Sequence, residues 1–194
     1  MGGASMNLQK DPIESISIAL QNTFSNLGIK KIFVGWPDTK YLSVDNNLPT
    51  LAIFQISDRG EHKTSRETVH AIVPSADGLT ATVYKEKLRL TYLLQLSIFT
   101  STPQQRASLG WSIQQYLVSN PQLQIGIPGV ETAVFSYKGQ HNSQGETNFY
   151  QRDLTFNVTA RVLDAQTTPT AKTIQFNDDD YKTNVVFRQM NLHD

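Results

Sequence analysis

Two stretches of this chain alternate apolar and polar residues for longer than an ordinary strand lasts. From Leu88 to Thr100, the residues Leu88, Leu90, Tyr92, Leu94, Leu96 and Ile98 fall on one side, with Arg89, Thr91, Gln95 and Ser97 among those opposite. Later, Tyr150, Leu154, Phe156, Val158, Ala160 and Val162 share one side, and Gln151, Asp153, Thr155, Asn157, Thr159 and Arg161 the other. A period of two marks a strand with one buried and one wet face. The first stretch has 13 residues, about 43 Å at roughly 3.3 Å per residue, whereas a compact chain of this size is only about 42 Å across. Such strands cross the whole molecule or project from it. Their long backbone edges must be shielded or paired with another chain, so pairing between copies through sheet edges is the first functional expectation.

The remaining pattern supplies what the apolar faces pack against. Asp11-Pro12-Ile13-Glu14 is a helix entrance, with Asp11 as cap and Pro12 at the first helical position. Ile13, Ile16, Leu20, Phe24 and Leu27 then line one helical face up to a stop at Gly28. Thr102-Pro103-Gln104-Gln105 repeats the entrance, and Ala107, Trp111, Ile113, Leu117 and Val118 are the apolar residues expected on the second helix before Asn120-Pro121. Short β-prone runs at Lys31–Trp36, Leu51–Ser57 and Glu131–Tyr137 predict three further strands, the first two separated by a polar loop. Lys138 to Gly145 reads as the turn of a closing hairpin. The fold class predicted is α+β: a mostly antiparallel or mixed sheet with two long strands, packed on one face by two helices.

Three segments fall outside that core. Residues 1–10 read as an expression scar, Met1 to Ser5, and a disordered lead-in from the second methionine, Met6. Residues 58–79 are polar and turn-rich, which predicts a mobile loop or a projecting hairpin excursion from a single domain spanning 11–164. Residues 165–194 read as a Thr/Ala/Pro linker followed by a C-terminal arm.

Composition narrows the chemistry. Seventeen basic residues balance seventeen acidic ones, so no long-range field draws the chain to nucleic acid or an anionic membrane. The absence of cysteine excludes disulfides, thiolate metal sites and thiol nucleophiles. No apolar run reaches the roughly 20 residues that span a bilayer as a helix, and a soluble chain without membrane partners is expected. His62, His70, His141 and His193 lack the spacing that puts two ligands on one helical face. Asp178, Asp179 and Asp180 lack the alternating ligands of a calcium loop. Phosphate loops and nucleophile elbows are missing, and Gly126-Ile127-Pro128-Gly129 reads as a turn. No catalytic residue, metal site or cofactor is expected. Lys85, Lys87 and Arg89 are spaced by two, so a strand extending through them would project all three from one face, toward phosphates or an acidic partner; a solvated strand entrance is the plainer reading.

The early helix ending at Leu27-Gly28, the strand Ile32-Phe33-Val34, the run Tyr92 to Phe99 leading into Ser101-Thr102-Pro103-Gln104-Gln105-Arg106, and the late strand Arg152 to Leu163 together resemble the bacteriophage tail terminator family, also called tail-completion or tail-to-head joining proteins. The likeness covers roughly residues 11–164 and carries no catalytic motif. It implies a structural virion protein, assembled in the bacterial host cytoplasm, whose six copies form a homohexameric ring at the neck end of a tail. Tail-tube and head-side connector proteins would be its partners, and genomic DNA would touch the bore in passing. The resemblance implies that Lys85, Lys87, Arg89, Thr91, Gln151, Asp153 and Arg161 lie at subunit contacts or the bore, and that the excursion, through Arg59, Glu61, His62, Lys63 and Arg66, reaches partner proteins. Another tail-tube or head-closure subunit, or a small-ligand-binding or hydrolytic domain, are the alternatives.

Overall fold

A computed structural model of the chain describes residues 11–62, 68–144 and 149–170; the expected lead-in at 1–10, most of the C-terminal arm, Lys63, Arg66 and His193 lie outside them. The elements run α1 (Pro12–Phe24), β1 (Lys31–Val34), α2 (Thr39–Leu42), β2 (Thr50–His62), β3 (Thr68–Pro74), β4 (Thr80–Thr100), α3 (Pro103–Ser119), β5 (Gln122–Gln124), β6 (Thr132–Gln144) and β7 (Tyr150–Pro169). They build one sheet in the order β1-β2-β4-β7-β6-β5, with β3 also paired to β4. Among the described residues only the β1–β2 pair is parallel, and the other pairs are antiparallel. The fold class is the α+β arrangement read from the sequence.

Helix α1 starts where its residues demand. The Asp11 side chain accepts from the Ile13 N–H at 2.9 Å, Pro12 opens the helix, and Gly28 takes the left-handed conformation at φ 74° after a 3₁₀ turn. Its buried Ile13, Ile16, Leu20 and Phe24 join Leu109, Ile113 and Leu117 of α3 over Leu94, Leu96 and Ile98 of β4 and Leu154, Phe156 and Val158 of β7. Each of these side chains contributes about 1.5–3 kcal/mol by leaving water. Trp111 and Val118, expected to help pack α3, are instead 59% and 53% exposed, and Leu109 takes the core position. Phase explains it: Leu109, Ile113 and Leu117 recur every four residues, and Trp111 and Val118 fall off that stripe.

Gly110 of α3 lets the helix lie close to β7. A Cβ there would come within 2.3 Å of Arg152 Cδ, whose guanidinium donates to the Ala107 carbonyl (3.3 Å) and to Asn142 Oδ1 (2.8 Å).

Strand lengths differ from the sequence expectation in one direction. β4 has 21 residues and β7 has 20, joined by twenty residue pairs from Thr80↔Pro169 to Thr100↔Tyr150. The stretch from 165 to 169, expected as linker, is the end of β7. Lys138 to Gln144, expected as a turn, continues β6 along β7 after a bulge at Lys138. The 58–79 excursion, expected as a mobile loop or a projecting hairpin, is sheet over most of its described residues: β2 runs to His62, β3 follows along the same edge of β4, and residues 75–79 turn back into β4. These segments looked like loops because little core lies over them, so their pairing is held by backbone and not announced by apolar alternation.

A second departure concerns the sheet's other face, which the alternation marks as solvent-facing. The connection after β1 is not a plain polar loop: Leu42 and Leu48 are buried there with Ala52 and Phe99, flanked by Phe33, Tyr41, Phe54 and Phe149. Phe99 sits on the nominally polar side of β4, and this small core covers it.

The Gly110 contact predicts an effect that depends on Arg152. Gly110→Ala removes a helix-interior glycine, normally worth about 0.5–1 kcal/mol of stability, yet in the native background the Arg152 side chain must swing aside and give up its bonds to Ala107 and Asn142, a loss of about 1 kcal/mol that should cancel or reverse the gain. In an Arg152→Ala background the same change should stabilise. Urea denaturation of the four variants measures both effects.

Candidate assembly interface

Beyond the helices the sheet continues as a three-stranded ribbon, β3-β4-β7. Its tip is closed by the turn Ser75 to Leu79, in which the Asp77 carboxylate accepts from the Ser75 hydroxyl and from the Leu79 N–H. Thr170 ties β7 to that turn, its N–H donating to the Leu79 carbonyl and its hydroxyl to the Gly78 carbonyl, both at 2.9 Å. At the base, His70 Nε2–H donates to the Val130 carbonyl at 2.9 Å, so the ribbon is fastened at both ends.

A bulge divides ribbon from body. Glu86 pairs with Leu163 and Leu88 with Val162, leaving Lys87 as the extra residue. The insertion moves Glu86 onto the same face as Arg89, which a regular strand would forbid for residues three apart. Arg89 grips Glu86 through two hydrogen bonds, 2.8 and 3.1 Å, and Arg161 adds a third at 3.2 Å. Arg89 and Arg161 face each other across the β4–β7 ladder, and the buried Glu86 carboxylate between them converts a like-charge pair into a bridged cluster. Arg89 holds Glu86 below the ordinary carboxylate range, with further help from Arg161 and against the opposing effect of burial.

The basic row expected at Lys85, Lys87 and Arg89 is therefore broken. Lys85 pairs with Asp164, on the Val162 side of the sheet, and Lys87 reaches the same Asp164 at 3.7 Å, while Arg89 lies on the opposite face. The phase shift introduced by the bulge is the cause.

Of the other expected interface residues, Thr91, Gln151, Asp153 and Arg161 do share Arg89's face. Thr91 is opposite Thr159, and Asp153 is opposite Ser97. Asp153 Oδ1 accepts from the Ser97 hydroxyl (2.6 Å) and from Gln151 Nε2 (2.8 Å), so this face is ordered by its own polar network. Arg59 and Glu61 stand on β2 opposite Thr91 and Arg89, exposed at the sheet's flank; His62 ends that strand.

Sequence reading missed what lies on β3. Val69, Ile72 and Val73 are 49%, 60% and 39% exposed, apolar side chains on an outer strand. The run Val69-His70-Ala71-Ile72-Val73-Pro74 carries the β-branched signal that could have revealed it.

Elsewhere the chemistry is sparse. A surface cavity of about 170 Å³ is lined by Leu27, Gln105, Ser108, Leu109 and Ser112, none of which titrates near neutrality. Tyr92 has its phenol pushed up to about 12 by burial, with Asp11 and Asp58 adding to the effect, and stays protonated. Among the described residues no three His, Cys, Asp or Glu side chains gather as metal ligands, and no helix is long and apolar enough to cross a membrane.

Neither a protein-family model nor a curated protein matches the chain. Among solved structures it is similar to a chain in "Virion of native gene transfer agent (GTA) particle", at 12% identity and a TM-score of 0.37, covering 77% of this chain and 94% of that one. A superposition this loose leaves the chain's own residues as the basis for its function.

The bulge cluster predicts an acid-sensitive ribbon. Glu86 has a depressed folded-state pKa, so its stabilisation is present above the ordinary value of 4.5 and is lost as the pH falls through the lower folded value. Glu86→Gln should cost about 1–3 kcal/mol at neutral pH, and its gap from the native chain should close as the pH drops below 4.5. Thermal unfolding followed across pH reads this directly.

Proposed function

We propose that this chain is a structural virion subunit that closes into a ring of six at the head-proximal end of a phage tail, ending tail-tube growth and joining the tail to the head-side connector. The observation that carries the proposal is the β3-β4-β7 ribbon, which extends past the helices with strands bordering it on two sides. β4 alone holds about 70 Å of contour at roughly 3.3 Å per residue, more than a chain of this size needs to span its own core. Strand edges of this kind are natural sites for pairing with another chain, and the sequence resemblance to tail terminators supplies the setting.

The mechanism is geometric. A head-to-tail contact repeated around a closing rotation uses every edge inside the ring and leaves none to propagate a tube. The balanced charge of the whole chain suits a bore through which DNA slides without being held. Thr91, Gln151, Asp153, Arg89 and Arg161, on the sheet face away from α1 and α3, are the proposed bore or subunit-contact residues. Arg59 and Glu61 at the flank of β2 are proposed to meet neighbouring proteins.

Light scattering on the size-exclusion eluate over a concentration series, with images of the assembled fraction, tests this reading. Closed rings that cap purified tail tubes are the expected result. Open-ended tubes would identify a tube subunit instead, and a monomer that never assembles, alone or on tubes, would remove the structural reading.

A further inference from the structure

The two borders of the ribbon are matched to one another. Among the described residues, no strand pairs with the outer side of Val69–Pro74 on β3 or of Asp164–Pro169 on β7; β6 leaves β7 at Thr159. The stretches lie at the same height, because Ile72 pairs with Val83 and Val83 pairs in turn with Gln166. Both end in proline at the ribbon tip, where the missing N–H stops further pairing.

Their directions are matched too. Each of β3 and β7 is antiparallel to β4, so they run parallel to each other. Copies related by rotation around a ring would present β3 of one to β7 of the next in that same parallel sense. A two-fold dimer would instead set β3 against β3, or β7 against β7.

Side chains agree with the first arrangement. β3 offers exposed Val69, Ile72 and Val73, while the outer part of β7 is Ala165-Gln166-Thr167-Thr168, whose threonines are strong strand formers. Two β3 strands face to face would place their bulges at His70 in opposed registers and interrupt each other's ladder.

We infer that a second copy of this chain occupies the open edge: β3 of one subunit adds in parallel to the Asp164–Pro169 edge of its neighbour's β7, making one continuous sheet through the assembly. This rests on the ring reading and adds to it which strands meet, in which direction, and that the contact is head-to-tail.

The absence of cysteine allows a clean test in the full chain. Ile72→Cys and Gln166→Cys are prepared as separate variants, mixed, and treated with a short bismaleimide, with assembly measured in parallel without the reagent. A covalent dimer in the mixture and in neither variant alone is expected; the cysteines are kept on separate chains because within one subunit positions 72 and 166 lie only two strands apart on the same face. Val69→Lys combined with Ile72→Lys, at positions already exposed in the subunit, should retain the native far-ultraviolet spectrum and melting temperature while losing assembly. Rings whose cross-links form within a single variant, or not at all, would overturn the β3-to-β7 contact and leave the ring reading standing. A protein that stays monomeric at every concentration and on tail tubes would overturn both.

Discussion

The antiparallel ladder between β4 and β7 is the constraint on which the rest of the molecule depends. It gathers residues separated by about 50 to 90 positions in the chain into twenty pairs with a single interruption. Every other element takes its place from it: β2 and β3 share one flank of β4, β6 lies along the body half of β7, and α1 and α3 cover the apolar side of that half. Because the ladder is longer than the core, it serves two purposes. Its body half is held by side chains leaving water, and its outer half by backbone hydrogen bonds and the closed turn at the tip.

The bulge at Lys87 marks the boundary between those regimes. On the body side, Leu94, Leu96 and Ile98 face the helices. On the ribbon side the phase is reversed, and Glu86 is brought between Arg89 and Arg161. One inserted residue therefore ends the main apolar face, breaks a basic row and builds a charge cluster. A buried carboxylate with two cationic partners is costly to leave half-paired, so the cluster defines the register at the position where apolar packing no longer does.

The second small core on the opposite face has a comparable role at the other end. Trp36 lies over Phe54 with ring centroids 4.2 Å apart, and Phe99 meets Phe149 at 5.5 Å. Both faces of the sheet are thereby covered near β1 and β2, whereas the adjoining β4–β7 pair carries the polar network of Ser97, Gln151 and Asp153 on that face. The packed body holds the subunit's shape, and the ribbon leaves strand edges that no described strand covers.

Local chemistry made a large part of this legible. The caps at Asp11 and Thr102, the period of two through Tyr92–Ile98 and Leu154–Ala160, and the left-handed glycine after Leu27 each act within a few residues, so the α+β class, the two helices and the body halves of the long strands were determined by the sequence itself. Phe99, an aromatic residue on the polar side of its strand, was a readable sign of the second core that periodicity alone passed over. What only the tertiary structure decided is where each strand stops, where the bulge falls and which edges remain open. The outer strands pair through backbone groups that are the same for every residue, and β3 hydrogen-bonds to β4 whatever its side chains spell. A free edge is a property of which neighbours are present in space, and no pattern within a single strand encodes it.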